Sequence, residues 1–365
     1  MRARTTHRFV QGLLAGASLA AVLAVGIVTA SAEDGVAAGD TSGKKIAFSN
    51  SYAGNSFRQV MIKSFEEMSA QAVKDKKIAG ATVVSSNNSV TEQASQIQNL
   101  ILQGYNAIVV LAGSDTALNG AIKDACNAGI VVVVFASGVT EPCAYNVDYN
   151  LDSYAKAELD FIASKLGDKP ANIFEIRGMA GDGFDKRLHE GVEKAMKAHP
   201  SYKPVGEVYG QWTATIAQKE VAGVLPSLPD IDAVLTQGGD GYGAAQAFKA
   251  AGRKLPIIIM GNREDELGIW KQEHDANGYE SFSLGATPSV SQVAFWVAQQ
   301  ILAGKDVPKF VEVPLLQIYQ KDLEAFLKVT PKGGVTNPVY PQELVVKMID
   351  ANVNKSPLPP IPAPQ

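Results

Sequence analysis

Short apolar runs that suit buried strands alternate with helix-like patterns along most of this chain. The runs at 107–111 and 130–135 consist of Ala, Val, Ile, Leu and Phe without a polar residue. Strands that are apolar throughout are typical of parallel sheets with helices on both faces. Between the runs, apolar residues recur every three or four positions, as in the helix predicted over 116–127. The alternation therefore predicts an α/β protein with doubly wound parallel sheets.

The alternation begins again near residue 150, which indicates two successive units. Four strands are predicted in the first unit, at 46–49, 81–85, 107–111 and 130–135. Four more are predicted in the second, at 172–176, 205–209, 233–236 and 257–260. Later elements, the last of them strand-like at 310–316, exceed what a second unit needs and could return to the first. Ligands of such sheets bind beyond the carboxyl ends of the strands, so two facing units would enclose a site.

The N-terminus has the pattern of a secretory signal peptide. Three arginines in the first eight residues precede an apolar run from about Leu13 to Ala30, which ends in Ala-Ser-Ala at 30–32. This predicts a signal peptide over 1–32, followed by a spacer over 33–43. The alternative is an uncleaved membrane anchor, because the run is just long enough to span a bilayer. No cysteine ends the run, which argues against a lipid anchor.

The composition excludes some classes of partner. Hydrophobic residues make up 46% and charged residues 19%, which is enough apolar material for two domains with sizeable cores. Removing the predicted signal peptide takes the formal charge from −4 to −7, and Lys and Arg form no dense run. We therefore expect no nucleic-acid partner. The four His and two Cys are scattered, so no metal site is expected.

The two cysteines, Cys126 and Cys143, predict a disulfide, because the chain is expected to be exported. Cys126 falls late in the predicted helix, and Cys143 follows the strand at 130–135. A helix packed against the strand that it feeds could bring both cysteines to the same rim. Two free buried thiols are the alternative.

Several segments, taken in order, resemble the periplasmic solute-binding proteins of sugar ABC transporters, specifically the ribose-binding group with the type I fold. These segments are Ile46–Phe57 (IAFSNSYAGNSF), Gln103–Val110 (QGYNAIVV), Gly178–Gly181 (GMAG), Asp232–Gln237 (DAVLTQ) and the helix at 243–252. The resemblance rests on their joint order together with the signal peptide, and it covers nearly all of residues 44–320.

The resemblance implies two doubly wound parallel-sheet lobes joined by a hinge of three crossovers. The N-terminal lobe would comprise 44–147 and 287–314, and the C-terminal lobe 148–286 and 315–345, followed by a proline-rich tail at 346–365. The family closes its lobes on one sugar or polyol and delivers it to a membrane ABC permease. A monomeric periplasmic carrier that does no chemistry on its ligand is therefore expected.

A sugar site needs polar side chains that donate and accept, together with an aromatic ring against the C–H face of the sugar. The resemblance implies an Asn and aromatic rings after the first strand, and Asn55 and Phe57 match them. Tyr52 and Arg58 stand in the same loop, Arg58 in place of a second aromatic residue. A helix cap for Asn55 and a core position for Phe57 are the alternatives. At the first crossover, Asp148 would line the cleft or serve the hinge.

Further candidates come from the second lobe. Trp212 falls on a polar loop where the ribose group places an aromatic ring, with ordinary packing as the alternative. The family also uses an Arg near a helix start, which Arg187 matches best, although Asp185 and Lys186 compete with it and a solvated helix start is the alternative. Asp240 follows a strand where the ribose group has Asn-Asp, and it would accept from a hydroxyl or cap a helix.

The chain departs from the ribose group at two places. Asn262 and Arg263 stand where the family has the last two residues of Gly-x-Asp, and both are candidates. After the fourth strand the ribose group has Asp-Arg, whereas this chain has Ala136 and Ser137. Ser137 remains a candidate, but a charged clamp is missing. This argues against ribose and for another pentose, hexose or polyol, or for Arg58 as a relocated clamp.

An exported enzyme and a sensory receptor for chemotaxis or signal molecules are the alternative functions. The motifs Gly-x-Ser-x-Gly, Gly-x-x-x-x-Gly-Lys and His-Glu-x-x-His do not occur, and Gly178–Gly183 lacks the dinucleotide fingerprint. We therefore expect neither an enzyme nor a cofactor. A receptor would use the same cleft as a carrier, so the sequence does not separate those two functions.

Overall fold

The computed structural model describes residues 35–362 as two α/β lobes. The first elements are β1 (Lys45–Asn50), α1 (Ser56–Lys74), β2 (Gly80–Ser85), α2 (Val90–Leu102), β3 (Ala107–Leu111), α3 (Asn119–Asn127), β4 (Val131–Phe135) and β5 (Tyr145–Asp148). Then come α4 (Leu151–Leu166), β6 (Ala171–Arg177), α5 (Gly183–Met196), β7 (Tyr202–Tyr209), α6 (Ala214–Val224), β8 (Ala233–Thr236), α7 (Gly241–Ala250), β9 (Ile257–Met260), α8 (Glu264–Asn277) and β10 (Phe282–Gly285). The last are α9 (Val290–Leu302), β11 (Phe310–Glu312), β12 (Leu316–Ile318), α10 (Leu323–Val329) and α11 (Gln342–Asn354).

The predicted signal peptide, residues 1–32, lies outside the described residues. Among the helices that are described, none is long and apolar enough to cross a membrane.

Two six-stranded sheets form the centres of the lobes. The N-terminal sheet has the order β11-β5-β4-β3-β1-β2, and the C-terminal sheet has the order β12-β10-β9-β8-β6-β7. The paired strands run parallel except for β12, which is antiparallel to β10. The interior strand β3 is buried at every position, as its unbroken apolar sequence predicts. The predicted α/β fold with two doubly wound lobes is confirmed.

The three crossovers expected for the hinge come after β5, after β10 and between β11 and β12. The strand predicted at 310–316 is two strands, one in each sheet. Pro314 lies between them, where a residue without a backbone N–H cannot continue a ladder. The first two crossovers are tied together, because the Thr287 N–H donates to the Tyr149 hydroxyl at 3.2 Å.

A fourth passage corrects the predicted domain bounds. Helix α10 packs on α8 of the C-terminal lobe, whereas α11 packs on α9 and β11 of the N-terminal lobe. Val345, Met348 and Ile349 of α11 are fully buried. The residues predicted to end the C-terminal lobe and begin the tail therefore form a core helix of the other lobe. The proline-rich tail starts after Lys355 and not at 346.

The predicted disulfide is present between Cys126 at the end of α3 and Cys143 before β5, with the two Cα atoms 6.4 Å apart. The cysteines are 17 residues apart in sequence, and a crosslink of that span is worth about 3 kcal/mol. We expect the double variant Cys126→Ser, Cys143→Ser to lose this much free energy of unfolding in urea titrations. Wild-type protein treated with a reductant should match the variant. A change below about 0.5 kcal/mol would contradict this expectation.

Candidate functional site

A cavity lies between the lobes at the carboxyl ends of the strands. Both lobes contribute to its wall, which consists of Asn55, Phe57, Arg58, Met61, Ala136, Phe184, Trp212, Gln237, Gly238, Gly239, Asn262, Arg263, Gly285, Ala286 and Val290. Six of the predicted ligand residues are among them: Asn55, Phe57, Arg58, Trp212, Asn262 and Arg263. We call this space the inner cavity.

The N-terminal lobe contributes the first turns of α1. The Asn55 side chain accepts the Arg58 N–H at 2.9 Å and so caps the helix. Asn55 therefore has the capping role offered as its alternative, and it also lines the inner cavity. Phe57, Arg58 and Met61 follow on the same helix, where spacings of three and four residues share one face.

A second space, the outer chamber, adjoins the inner cavity, and three residues line both. Asn55, Arg58 and Trp212 line both spaces, and Tyr52 and Asp182 line only the outer chamber. Burial lowers the pKa of Arg58, opposed by the negative charge of Asp182. Burial likewise raises the pKa of Asp182, opposed by Arg58. The charges of Arg58 and Asp182, which both line the outer chamber, therefore attract each other.

Trp212 is held by its neighbours in an unusual backbone conformation. Gln211 and Trp212 have φ values of 56° and 51°, in a region that bulky residues rarely adopt. The indole Nε1–H donates to the Gln237 side-chain oxygen at 3.3 Å, and the ring meets Phe184 edge-on at 6.4 Å. Gly178 lies beneath the indole, where a Cβ atom would come within 2.3 Å of the ring.

Buried carboxyl groups fix the loops that carry Trp212 and Arg263. Asp240 accepts the Thr213 N–H at 2.9 Å, directly after Trp212. Glu266 accepts backbone N–H groups from Gly239, Gly241 and Gly261 at about 3 Å. Burial raises the pKa of Glu266, and Arg263 opposes that shift. Asp240 and Glu266 thus hold the loops of the cavity wall in place without lining the cavity themselves.

Arg263 and Asn262 reach the inner cavity from the end of β9. The Arg263 guanidinium donates to the Trp212 carbonyl at 2.9 Å, which joins two loops of the C-terminal lobe. Gly239 leaves room for it, since a Cβ atom there would lie 2.8 Å from the guanidinium carbon. The Asn262 amide donates to the Ala286 carbonyl at 2.9 Å and so contacts a crossover.

The structure corrects two predicted ligand residues of the C-terminal lobe. Asp185 is 1% exposed and accepts from the Arg177 guanidinium at 2.8 Å and from the Gly178 N–H at 2.9 Å. It also accepts from the Gln237 amide at 2.9 Å. Asp240 is fully buried, and its bond to the loop of Trp212 is internal. Neither carboxyl lines the cavity: donors of the C-terminal lobe bind Asp185, and Asp240 is buried with one oxygen bonded to Thr213 and the other without a partner among the described residues.

Ser137, Asp148 and Arg187 also lie outside the wall of the inner cavity. The Ser137 hydroxyl donates to the Phe135 carbonyl and accepts the Ala112 N–H. Arg187 donates to Asp148 at 2.7 Å and to the Ser137 carbonyl at 3.2 Å. Since Arg187 belongs to the C-terminal lobe and its two partners to the N-terminal lobe, this group is an interlobe contact. The hinge alternative for Asp148 thus fits its position.

Gln237, Phe184 and Met61 line the wall but were not among the predicted ligand residues. Gln237 ends the segment DAVLTQ, and its place directly after a strand is the signal that could have identified it. Phe184 and Met61 lie on helices with apolar neighbours. No local signal separates a ring that faces a cavity from one that packs in a core.

One group of side chains could offer three ligand atoms to a metal among the described residues: Glu175, His189 and Glu207. His189 lies 2.8 Å from Glu175, and Arg177 lies 3.4 Å from Glu207. The Arg177 guanidinium competes for the Glu207 carboxylate that a metal would need. The group lies outside the inner cavity and forms an ion-pair network at β6, β7 and α5.

Known proteins resemble this chain in sequence and in fold. A model of the periplasmic binding protein domain matches residues 46–306. The xylitol-binding protein of Mycolicibacterium smegmatis is 30% identical over 227 residues, which span 61% of this chain and 64% of that protein, just under two thirds. The ribose import binding protein of Bacillus subtilis is 25% identical over 66% of this chain and 77% of its own length.

A solved structure extends the match over nearly the whole described chain. An ABC transporter solute binding protein from Thermobispora bispora has 35% sequence identity and a TM-score of 0.80. The similarity covers 88% of this chain and 99% of that one. The chain therefore belongs to the periplasmic binding protein family.

Proposed function

We propose that this protein captures a monosaccharide or polyol in the inner cavity and delivers it to an ABC permease. The observation that carries the proposal is a cavity between two lobes whose wall combines amide side chains with aromatic rings. Asn55 and Asn262 supply groups that donate and accept, the Gln237 side-chain oxygen can accept, and Phe57 and Trp212 supply apolar faces. Named relatives bind xylitol and ribose, which supports this class of ligand.

Hinge closure is the mechanism that we propose. A ligand in the inner cavity touches residues of both lobes, so it favours the arrangement in which the lobes meet. The contact of Arg187 with Asp148 and Ser137 belongs to that arrangement, because it too joins the lobes. A permease could then distinguish loaded from empty protein by the relative position of the lobes.

The proposed place of action is the periplasm or the cell exterior. Membership in the periplasmic binding protein family supports this location. The pattern of residues 1–32 supports export through a signal peptide. The same architecture is known from proteins of binding function, so we propose no reaction on the ligand.

A thermal-shift screen of pentoses, hexoses and polyols tests the proposal. Ligand present at 100 times its Kd stabilises the folded state by about 2.7 kcal/mol, so one class should raise the Tm by several degrees. Samples recovered from the screen should contain the ligand chemically unchanged. The absence of any shift across the panel, or turnover of a sugar, would contradict the proposed function.

A further inference from the structure

We propose that the ligand is a sugar acid, a polyhydroxylated molecule with a carboxylate such as an aldonate or uronate. This inference rests on the proposed function, since it names the ligand class of the same cavity. Its basis is the charge of the wall. Of the described residues that line the inner cavity, Arg58 and Arg263 are the only ionisable ones, and no carboxyl group lines it.

Arg58 lacks a close partner for its charge. No carboxylate oxygen lies within 4 Å of its guanidinium in the part of the chain that the structure describes. Its side-chain contact is with the Met61 sulfur at 4.0 Å, a weak acceptor. Arg58 is half-buried, and a charge partly withdrawn from water is costly unless it is paired and hydrogen-bonded. An anionic ligand would supply that pairing.

The nearest acid to Arg58 is already engaged elsewhere. Asp182 caps α5, where its side chain accepts the Phe184 N–H at 2.7 Å. It lines the outer chamber and not the inner cavity. Asp182 therefore balances part of the Arg58 charge from the outer chamber. On the side of the inner cavity, no carboxyl group lies among the described lining residues.

Arg263 is fixed in place, and part of its charge is balanced by acids behind the wall. One of its nitrogens donates to the Trp212 carbonyl, a neutral acceptor. Its positive charge opposes the rise in pKa that burial causes at Asp240, Asp265 and Glu266, so Arg58 is the arginine with the less compensated charge at the cavity. Asp240 and Glu266 are fully buried and do not reach the inner cavity.

The two guanidinium groups favour an acceptor-only group over a hydroxyl. A hydroxyl donates as well as accepts, whereas a carboxylate only accepts and fits the guanidinium fork with two parallel bonds. A carboxylate in the wall would accept hydrogen bonds from the hydroxyls of a neutral sugar, and the described lining of the inner cavity contains none. Here Asn55, Gln237 and Asn262 can serve the hydroxyls, and the arginines remain for a carboxylate.

Paired ligands test the inference on the wild-type protein by calorimetry. The pairs are xylonate with xylitol, gluconate with glucose, and galacturonate with its methyl ester, which keeps the shape but loses the charge. We expect the acid of at least one pair to bind about 100-fold more tightly than its neutral partner. Acetate should not bind at the same concentrations, because it offers no hydroxyls.

Each of the other outcomes would contradict either the sugar-acid inference or the proposed function. Equal or tighter binding of the neutral partners would overturn the sugar-acid inference and leave the proposed function intact. Binding of acetate as tight as that of the sugar acids would also overturn it. Failure of every sugar, polyol and sugar acid to bind would contradict the proposed function itself.

A variant pair locates the effect. We expect Arg58→Gln to weaken binding of the acid about 100-fold and that of its neutral partner, which loses one hydrogen-bond donor, only about tenfold. Lys63→Gln removes the same charge from the same helix at an exposed site and should change neither. Equal losses for acid and neutral ligand in Arg58→Gln would show a structural role and overturn the inference. Circular dichroism confirms folding, and the wild-type ligand pairs remain informative should the variant be unstable.

Discussion

Trp212→Ala is expected to weaken ligand binding about 100- to 1,000-fold, which corresponds to about 3–4 kcal/mol. The indole lines both the inner cavity and the outer chamber, so its removal joins the two spaces and takes away an aromatic face. The Gln237 amide would also lose its indole partner. Calorimetry with the best ligand of the screen measures the loss.

Two controls separate binding from folding in this experiment. Trp212→Phe keeps an aromatic face but loses the Nε1–H bond, so we expect a loss of only about tenfold. Phe310→Ala removes a ring that is 48% exposed and outside the cavity, and its affinity should stay within about twofold. An unchanged affinity in Trp212→Ala would remove this residue from the site.

The backbone at Trp212 gives this prediction independent support. Two consecutive non-glycine residues with positive φ cost about 1–3 kcal/mol each, and such strain persists only where the surroundings enforce it. Here the Asp240 carboxylate accepts a hydrogen bond from the Thr213 N–H, and the Gln237 side-chain oxygen accepts one from the indole Nε1–H. The fold thus holds a strained loop so that one ring faces the cavity.

Asp185→Ala is expected to lower the free energy of unfolding by about 3–5 kcal/mol. The carboxylate pairs with Arg177, whose side chain is 11% exposed, and removing it would leave that charge without its nearest partner. The Gly178 N–H and the Gln237 amide would lose their acceptor as well. Urea titration followed by circular dichroism gives the value.

This experiment also decides between two roles for Asp185. Lys186→Ala, at the next position and 71% exposed, should change the free energy of unfolding by less than about 0.5 kcal/mol. Asp185→Asn keeps the shape and should lose less than Asp185→Ala. A large loss of affinity in Asp185→Ala with unchanged stability would restore the sequence-based hypothesis that it contacts the ligand.

Asp185 and Trp212 belong to one chain of contacts. Arg177 binds Asp185, Asp185 binds the Gln237 amide, and the Gln237 oxygen accepts from the Trp212 indole. We therefore expect Asp185→Ala to disturb the position of the ring in addition to the fold. Affinity measured on folded protein should fall less than in Trp212→Ala, because the ring itself remains.

The elements that the sequence predicted well are those with a strong local pattern. Apolar runs such as β3 and β4 predict interior strands of a parallel sheet, because a sheet covered on both faces buries nearly every residue of such a run. Helix α8 was missed since most of its residues are polar and its buried face is short. Helix α11 was not predicted: its residues were divided between the end of the C-terminal lobe and the proline-rich tail, because nothing in its own sequence says which core receives it.

The sequence by itself determined the α/β class, the two lobes, the disulfide and the edge of the sheets where the cavity lies. These follow from periodicity, from cysteine pairing and from the rule that loops after parallel strands meet at one edge. Only the tertiary structure decided which polar residues face the cavity. Arg58, Asp185 and Asp240 all lie at the start of a helix that follows a strand, yet the two acids accept hydrogen bonds from within their own lobe, whereas Arg58 lines the cavity. Which charges remain available depends on the partners that folding brings from other parts of the chain, and these partners are not encoded near the residue itself.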